Sequence, residues 1–287
     1  MSTEKTWESE LQRLAEKEAE ALQGGGKERL DKLKSGGRLS ARERLEYILD
    51  EGSFTELNML AEHQCQEFGM ADKKFTGDGV VTGFGAIQGR KVFIYAEDET
   101  VLGGSTGKVH GQKIHYLLRL ARENRAPVIG LNASAGARIQ EGMDNVYGVT
   151  GMFYQNSLNS GVIPQIAGIM GTCSGGAAYS AALCDFVVQV KDTSHLFLTG
   201  PAVIREVTGE EVSFEDLGGA GIHARVSGVT HLTAENDRDC LDKIRALLDY
   251  LPQSNLEKPA ARASTDPLDR LVPELIDLVP IKMSKTY

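Results

Sequence analysis

The sequence predicts an α/β domain in which a largely buried sheet is wrapped by helices. Three observations carry that reading. Pro127-Val-Ile-Gly-Leu131, Pro164-Gln-Ile-Ala-Gly-Ile-Met170 and Phe186-Val-Val-Gln-Val190 are short, mostly apolar runs with the length of strands buried on both faces. Between them lie segments of helical periodicity, such as 106–124, with Ile114, Leu117, Leu118 and Ala121 on one face. The two kinds of segment alternate along the chain, as they must where helices cover a mostly parallel sheet.

Taken in order, residues 4–35 read as helical and polar, with Trp7, Leu11, Leu14, Ala15 and Leu22 among many Glu and Lys. The Gly24-Gly25-Gly26 run interrupts them. Such an arm is either solvated or clasps a second subunit. Ser40-Ala-Arg-Glu43 fits a capping box opening the helix of Leu45, Ile48 and Leu49. Val80-Val-Thr-Gly-Phe84 and Val92-Phe-Ile-Tyr95 are β-rich and joined around Gln88-Gly89-Arg90, which predicts a hairpin. A helix is expected from about Ile139, another over Gly175 to Ala182, a strand at Leu196-Phe-Leu198, and a last helix over 234–251. Residues 252–287 hold five of the eight prolines and little periodicity. The expected organisation is a helical arm over 1–36, an α/β domain over 37–251, and an extended linker over 252–287 with no domain after it.

Bulk properties narrow the function. The 287 residues carry 31 basic and 40 acidic side chains, a formal charge of -9. That balance argues against non-specific nucleic-acid binding, and leaves open an anionic ligand held locally by backbone amides. The sequence has no run of eighteen apolar residues and no apolar core near the N-terminus, so a cytoplasmic location is expected. Cys65, Cys173, Cys184 and Cys240 are scattered without a Cys-x-x-Cys pair, and the six histidines form no His-x-x-x-His pair. Neither a disulfide framework nor a metal site is expected. Gly107-Lys108 is followed by Val109, which breaks the Walker pattern, and no strand leads into Gly-x-Gly-x-x-Gly with a downstream acid.

Two strand-to-helix turns stand out: Asn132-Ala-Ser-Ala-Gly-Ala-Arg-Ile139 and Gly171-Thr-Cys-Ser-Gly-Gly-Ala-Ala-Tyr179. Both follow apolar strands at the end where open α/β sheets place ligands. Small residues let a ligand approach the backbone, and a helix start presents free N–H groups. Two such turns side by side could aim two donors at one oxygen, an oxyanion hole; alternatively the glycines only permit tight helix–sheet packing. A third cluster, Val101-Leu-Gly-Gly-Ser-Thr-Gly107, leads into a helix as well. Cys173 and Ser174 at a helix start could be nucleophiles, with His195, His223 or His231 approaching in space, although no His is close in sequence; alternatively they only pack beside the glycines.

At these turns the sequence resembles the carboxyl-transferring β subunits of propionyl-CoA carboxylase and their relatives. The likeness runs in order through Gly37-Arg-Leu-Ser-Ala-Arg-Glu-Arg-Leu45, Gly77-Asp-Gly-Val-Val-Thr-Gly83, Gly103-Gly-Ser105 and Ala126-Pro-Val-Ile-Gly-Leu-Asn132. It continues through Gly136-Ala-Arg-Ile-Gln-Glu-Gly142, Gly161-Val-Ile-Pro-Gln165, Cys173 to Ser180, Leu198-Thr-Gly-Pro201 and Glu215-Asp-Leu-Gly-Gly-Ala220, and ends at Asp266-Pro-Leu-Asp-Arg-Leu-Val-Pro-Glu274.

The resemblance implies a crotonase-like (ClpP/crotonase) spiral of ββα units and an acyl-CoA ligand. It implies carboxyl transfer between biotin and the α-carbon of the thioester through an enolate, with the biotin ureido nitrogen as base and no side-chain base. The amides of Ala135, Gly136, Gly175 and Gly176 become the expected oxyanion donors. Ser134, Ala137, Arg138, Cys173, Ser174, Ala177, Gly103 and Gly104 become the expected acyl-CoA contacts. Implied partners are a carboxyltransferase C-terminal half, a biotin carrier protein, and a biotin carboxylase or a membrane decarboxylase subunit, in a homo- or hetero-oligomer. Biotin is expected on another chain, because Lys282-Met283 lacks the preceding Met of a Met-Lys-Met acceptor. Relatives commonly carry Gly where Ala135 stands; the methyl narrows the space and makes a positive φ costly. The competing readings are a stand-alone crotonase-type hydratase, isomerase or hydrolase, with Glu141 or Asp144 as acid–base group, and a non-catalytic acyl-CoA-binding subunit.

Overall fold

Two polar helices open the chain. α1 (Trp7–Leu22) starts at a reciprocal capping box between Thr6 and Ser9, and α2 (Lys27–Ser35) follows the glycine run. Gly25 lies so close to the Thr100 carbonyl that a side chain would overlap it, and its N–H donates to Thr100 Oγ1 at 2.9 Å. The glycines therefore pin the arm to the loop of Thr100. Trp7 and Leu11 on α1 remain 86% and 63% exposed. The computed structural model describes residues 6–261, 263–279 and 281; residues 1–5 of the arm and the Lys282-Met283 pair lie outside them.

α3 (Ala41–Ile48) begins at the expected capping box, with Ser40 and Glu43 each bonding the other's backbone N–H. Burial pushes the Glu43 carboxyl up, but hydrogen bonds from Lys34 and Ser40 outweigh it and hold the group at about 2.

The sheet has eight strands. β1 (Thr55–Leu57), β2 (Val80–Ile87) and β3 (Arg90–Glu97) are antiparallel. Gln88 and Gly89, both at positive φ, make the two-residue turn between β2 and β3. α4 (Lys108–Glu123) then crosses to β4 (Val128–Ser134), and α5 (Asp144–Asn159) to β5 (Gln165–Ser174). α6 (Gly176–Ala182) leads to β6 (Phe186–Val190), and β7 (His195–Phe197) pairs with the far end of β5. α7 (Pro201–Thr208), α8 (Phe214–Gly218) and α9 (Ala220–Ile222) precede β8 (Leu232–Ala234) and α10 (Asp237–Leu248). The strand order is β1-β2-β3-β4-β5-β6-β8, parallel from β3 onward.

The period of two in β3 divides the core. Val92, Ile94 and Ala96 face a cluster with Ile48 of α3 and Leu241, Ile244 and Leu248 of α10. Phe93 and Tyr95 face Ile114, Leu117 and Leu118 of α4. Each such Leu or Ile contributes roughly 1.5–3 kcal/mol on full burial.

Three expectations shift. The helix expected from Ile139 is a single 3-10 turn, Ile139–Glu141, because Gly142 (φ +53) breaks the chain before α5. β5 runs on to Ser174, since β4 and β7 pair with its end. β1, β8 and α7 to α9 were too short to announce themselves by periodicity. Over 252–279 the described residues hold one 3-10 turn, Pro273–Asp277.

Candidate active site

The first turn grows from the C-terminal end of β4. Its amides are tied to the loop after β3: Ala135 N–H donates to the Gly103 carbonyl at 3.0 Å, and Arg138 N–H to the Thr106 carbonyl at 2.9 Å. Thr106 N–H returns a bond to the Gly136 carbonyl at 2.8 Å, and Ser134 Oγ donates to the Gly104 carbonyl at 2.7 Å. The left-handed conformation falls on Gly136 (φ +91), not on Ala135, so the alanine carries no strain of that kind. Gly104 (φ +63) sits against the Ala133 carbonyl with no room for a Cβ.

The second turn grows from β5. Gly175 (φ +56) donates its N–H to the Phe197 carbonyl at 3.1 Å, extending the β5–β7 pairing. Gly176 then opens α6, where first-turn amides have no intrahelical acceptor. Gly176 packs on α5: a Cβ there would come 2.5 Å from Val149 Cγ1. The two turns touch. Ser134 pairs with Cys173, Ser174 Oγ donates to the Ala135 carbonyl at 2.6 Å, and a Cβ on Gly136 would come 2.8 Å from Ser174 Oγ.

Peptide planes then decide which amides are spare. All peptides described here are trans, so each N–H points opposite the preceding carbonyl. The Ala135 carbonyl faces Ser174, which turns the Gly136 N–H away from the second turn, toward Ser134 Oγ at 3.3 Å. The Gly136 carbonyl faces Thr106, which turns the Ala137 N–H away from the loop of Thr106. Of the four amides expected as donors, those of Ala135 and Gly175 are spent on main-chain carbonyls and that of Gly136 is turned away. Among the described residues no acceptor claims the N–H of Gly176, nor that of Ala137, which was expected only as a contact.

The side chains expected to meet acyl-CoA divide in the same way. Ser174 joins the two turns, Ala137 lies in the first, Gly103 holds the Ala135 amide, and Gly104 is closed off against the Ala133 carbonyl. Ser134 is fully buried, and Cys173 and Ala177 belong to a core cluster. Burial pushes the Cys173 thiol well above its ordinary range, which suits a core residue and not a nucleophile. Arg138 is 2% exposed and points beneath the turn, where ion pairs to Asp78 and Glu141 occupy it. The histidines are engaged elsewhere: His195 with Glu215 at 2.7 Å, His223 with the Leu196 carbonyl, His231 with the Val187 N–H. Glu141 is spent on Arg138 and the Lys108 N–H, and Asp144 pairs with Lys108 on the surface.

Exposed apolar side chains rim the turns: Ile139, Met143 and Tyr147 beside the first, Tyr179 and Leu198 beside the second. Two clefts of about 410 Å³ lie elsewhere, one along α3 by Leu45 and Phe54, one between α2 and Thr100. Neither is lined by a residue of the turns. No helix among the described residues is long and apolar enough to cross a membrane.

Comparison with known proteins agrees with this architecture. The family model "Carboxyl transferase domain" matches residues 32–287. The chain is 51% identical over 278 residues to the mitochondrial propionyl-CoA carboxylase beta chain of Homo sapiens, covering 96% of this chain and 52% of that one. It is 50% identical over 263 residues to the methylmalonyl-CoA decarboxylase subunit alpha of Veillonella parvula, covering 91% and 52%. Among solved structures, the transcarboxylase 12S hexamer with methylmalonyl-coenzyme A and methylmalonic acid bound superposes with a TM-score of 0.87 at 42% identity, covering 99% of this chain and 56% of that one. The chain thus spans about half the length of the curated relatives it matches. The crotonase-like fold expected from the sequence is the fold it shares with these neighbours. With two adjacent amide-rich turns at the strand ends and a match over most of its length, the chain belongs to the carboxyl transferase domain family.

Proposed function

We propose that this chain is the acyl-CoA-binding half of a biotin-dependent carboxyltransferase, and that the Ala137 and Gly176 N–H groups hold the thioester oxygen. The observation that carries the reading is the pair of touching turns, each with one amide that no described group claims, while Glu141, Asp144, His195, His223 and His231 are engaged elsewhere. An enolate needs its oxygen stabilised, and one oxyanion donor is worth roughly 3–4 kcal/mol of barrier. Carboxybiotin, delivered on another chain, supplies both the carboxyl group and the base when it is bound. The chain's own part is to bind the thioester, align its α-carbon and exclude water, which suits a site with Glu141 and Cys173 out of reach. The stand-alone hydratase reading needs a free carboxylate, and Glu141 is committed to Arg138.

The exposed apolar rim fits a further protein surface, for which a carboxyltransferase C-terminal half is the proposed partner, with a biotin carrier and a biotin carboxylase or membrane decarboxylase subunit beyond it. Calorimetry and a carboxyl-transfer assay test this. CoA thioesters should bind the chain more tightly than free biotin, and transfer should appear only when a C-terminal half is added. Biotin binding without acyl-CoA binding would overturn the assignment.

A further inference from the structure

We propose that Arg138 is a positioning residue, whose guanidinium fixes the direction of the Gly136–Ala137 peptide from beneath the turn. The inference rests on the donor pair proposed above. All three guanidinium nitrogens are spent within the protein. Nη1 donates to Asp78 Oδ1 at 2.6 Å and to Glu141 Oε1 at 2.8 Å, Nη2 to the Ser105 carbonyl at 2.7 Å, and Nε to Ser105 Oγ at 3.2 Å. The planar fork therefore sets the place of Ser105. The next residue, Thr106, accepts the Arg138 N–H and donates to the Gly136 carbonyl. Turning the Gly136–Ala137 peptide would break that last bond, so its direction is fixed by the loop that the guanidinium grips.

The two carboxylates have a second task. α4 has Gly107 at its N-cap and hence no side-chain cap. Glu141 Oε2 accepts the Lys108 N–H at 2.7 Å, and Asp78 Oδ2 accepts the His110 N–H at 2.9 Å, so both cap α4 from outside. A Cβ at Gly107 would overlap the Glu141 carboxylate. One arginine thereby ties the turn, the loop of Ser105 and the start of α4 into a single block. Asp78 is 0% exposed, so removing the arginine alone would leave buried carboxylates uncompensated.

The test separates position from stability. The full chain is titrated with propionyl-CoA carrying a ¹³C thioester carbonyl, and the infrared frequency of that carbonyl is read. In the unmodified chain it should move to lower frequency on binding. The triple variant Arg138→Met, Asp78→Asn, Glu141→Gln removes all three charges together, so the fold should melt near the parent temperature. It should bind within about threefold of the parent, but with the carbonyl shift lost. A triple variant that melts like the parent and keeps the full shift overturns the proposal, because Arg138 would then serve stability alone. Arg138→Lys, which keeps the charge without the fork, should lose part of the shift; a full shift there overturns the proposal as well. If the unmodified chain binds propionyl-CoA with no shift, or does not bind it, the donor pair itself fails and Arg138 has nothing to position.

Discussion

The turns after β4 and β5 touch, yet they are held in opposite ways. The first, 134–138, is clamped by buried charge that reaches it from Asp78 and Glu141, and by the loop of Gly103 to Thr106. The second, 174–178, is held by main-chain pairing of β5 with β7 and by small side chains packed on α5. The first turn therefore depends on residues whose chemistry is remote from it. The second depends on main-chain pairing and close packing, with no charged side chain among its supports. A donor can be deleted cleanly only in the second turn, and electrostatic perturbation should be felt mainly in the first.

The largest effect is expected from deleting the second-turn donor. Gly176 is the first residue of α6, where proline's φ is tolerated and only its N–H is lost. Val149→Ala makes room for the added carbons. In that background Gly176→Pro should lower carboxyl transfer in the assembled enzyme by roughly 100- to 1000-fold, with acyl-CoA affinity little changed. Gly176→Ala, which keeps the N–H, should stay near the background rate. Equal rates for the two would dissolve the contrast between the turns, and melting curves exclude misfolding as the cause.

The next effect sharpens the electrostatic side. Lys113 of α4 is 3% exposed, donates to the Gly77 carbonyl at 2.8 Å and, by Nζ, to the Val80 carbonyl, and so supports the segment carrying Asp78. Burial pulls its ammonium down from 10.5 to about 8. Below about 8 both states are protonated, and the folded chain bears the whole cost of the buried charge. Between about 8 and 10.5 the folded chain releases a proton that the unfolded chain keeps, so stability rises with pH, by up to roughly 3 kcal/mol. Urea unfolding at pH 7.5 and pH 10 should show this rise relative to Lys113→Met. Parallel pH dependence in the two proteins would mean that the lysine titrates outside this window.

The smallest effect concerns the joint between the turns. Ser174→Ala removes the 2.6 Å bond to the Ala135 carbonyl, and should cost about 1 kcal/mol in denaturant unfolding. It should also loosen acyl-CoA binding slightly, since the Ala135 carbonyl helps set the adjacent peptide. A stability loss of several kcal/mol would show that the turns are not independently supported.

Much of this was legible along the chain. The hairpin was visible in Gln88-Gly89 between two β-rich runs, and α3 in the Ser40–Glu43 box, because both signals are local. The strand ends carrying the site were visible because a strand buried on both faces needs an uninterrupted apolar run, and small residues follow where it stops. The helix expected at Ile139 was misplaced because periodicity does not register Gly142 at φ +53. The family resemblance implies Arg138 as a substrate contact, and nothing along the chain shows the buried Asp78 that the fold brings beneath it. The outside caps of α4 had no sequence sign, since Gly107 supplies none of its own and the carboxylates come from β2's approach and the 3-10 turn.

By itself the sequence determined the alternation of strands and helices, the positions of both turns and the family likeness, because periodicity, burial and small-residue runs are properties of neighbours in the chain. Only the tertiary structure decided which amides are spare. The Gly103, Thr106 and Phe197 carbonyls and the Ser174 hydroxyl, brought in from other elements, claim or redirect the N–H groups of Ala135, Gly136, Arg138 and Gly175, and leave those of Ala137 and Gly176 without an acceptor among the described residues. A hydrogen bond is settled by what lies opposite in space, and a linear sequence does not say what that is.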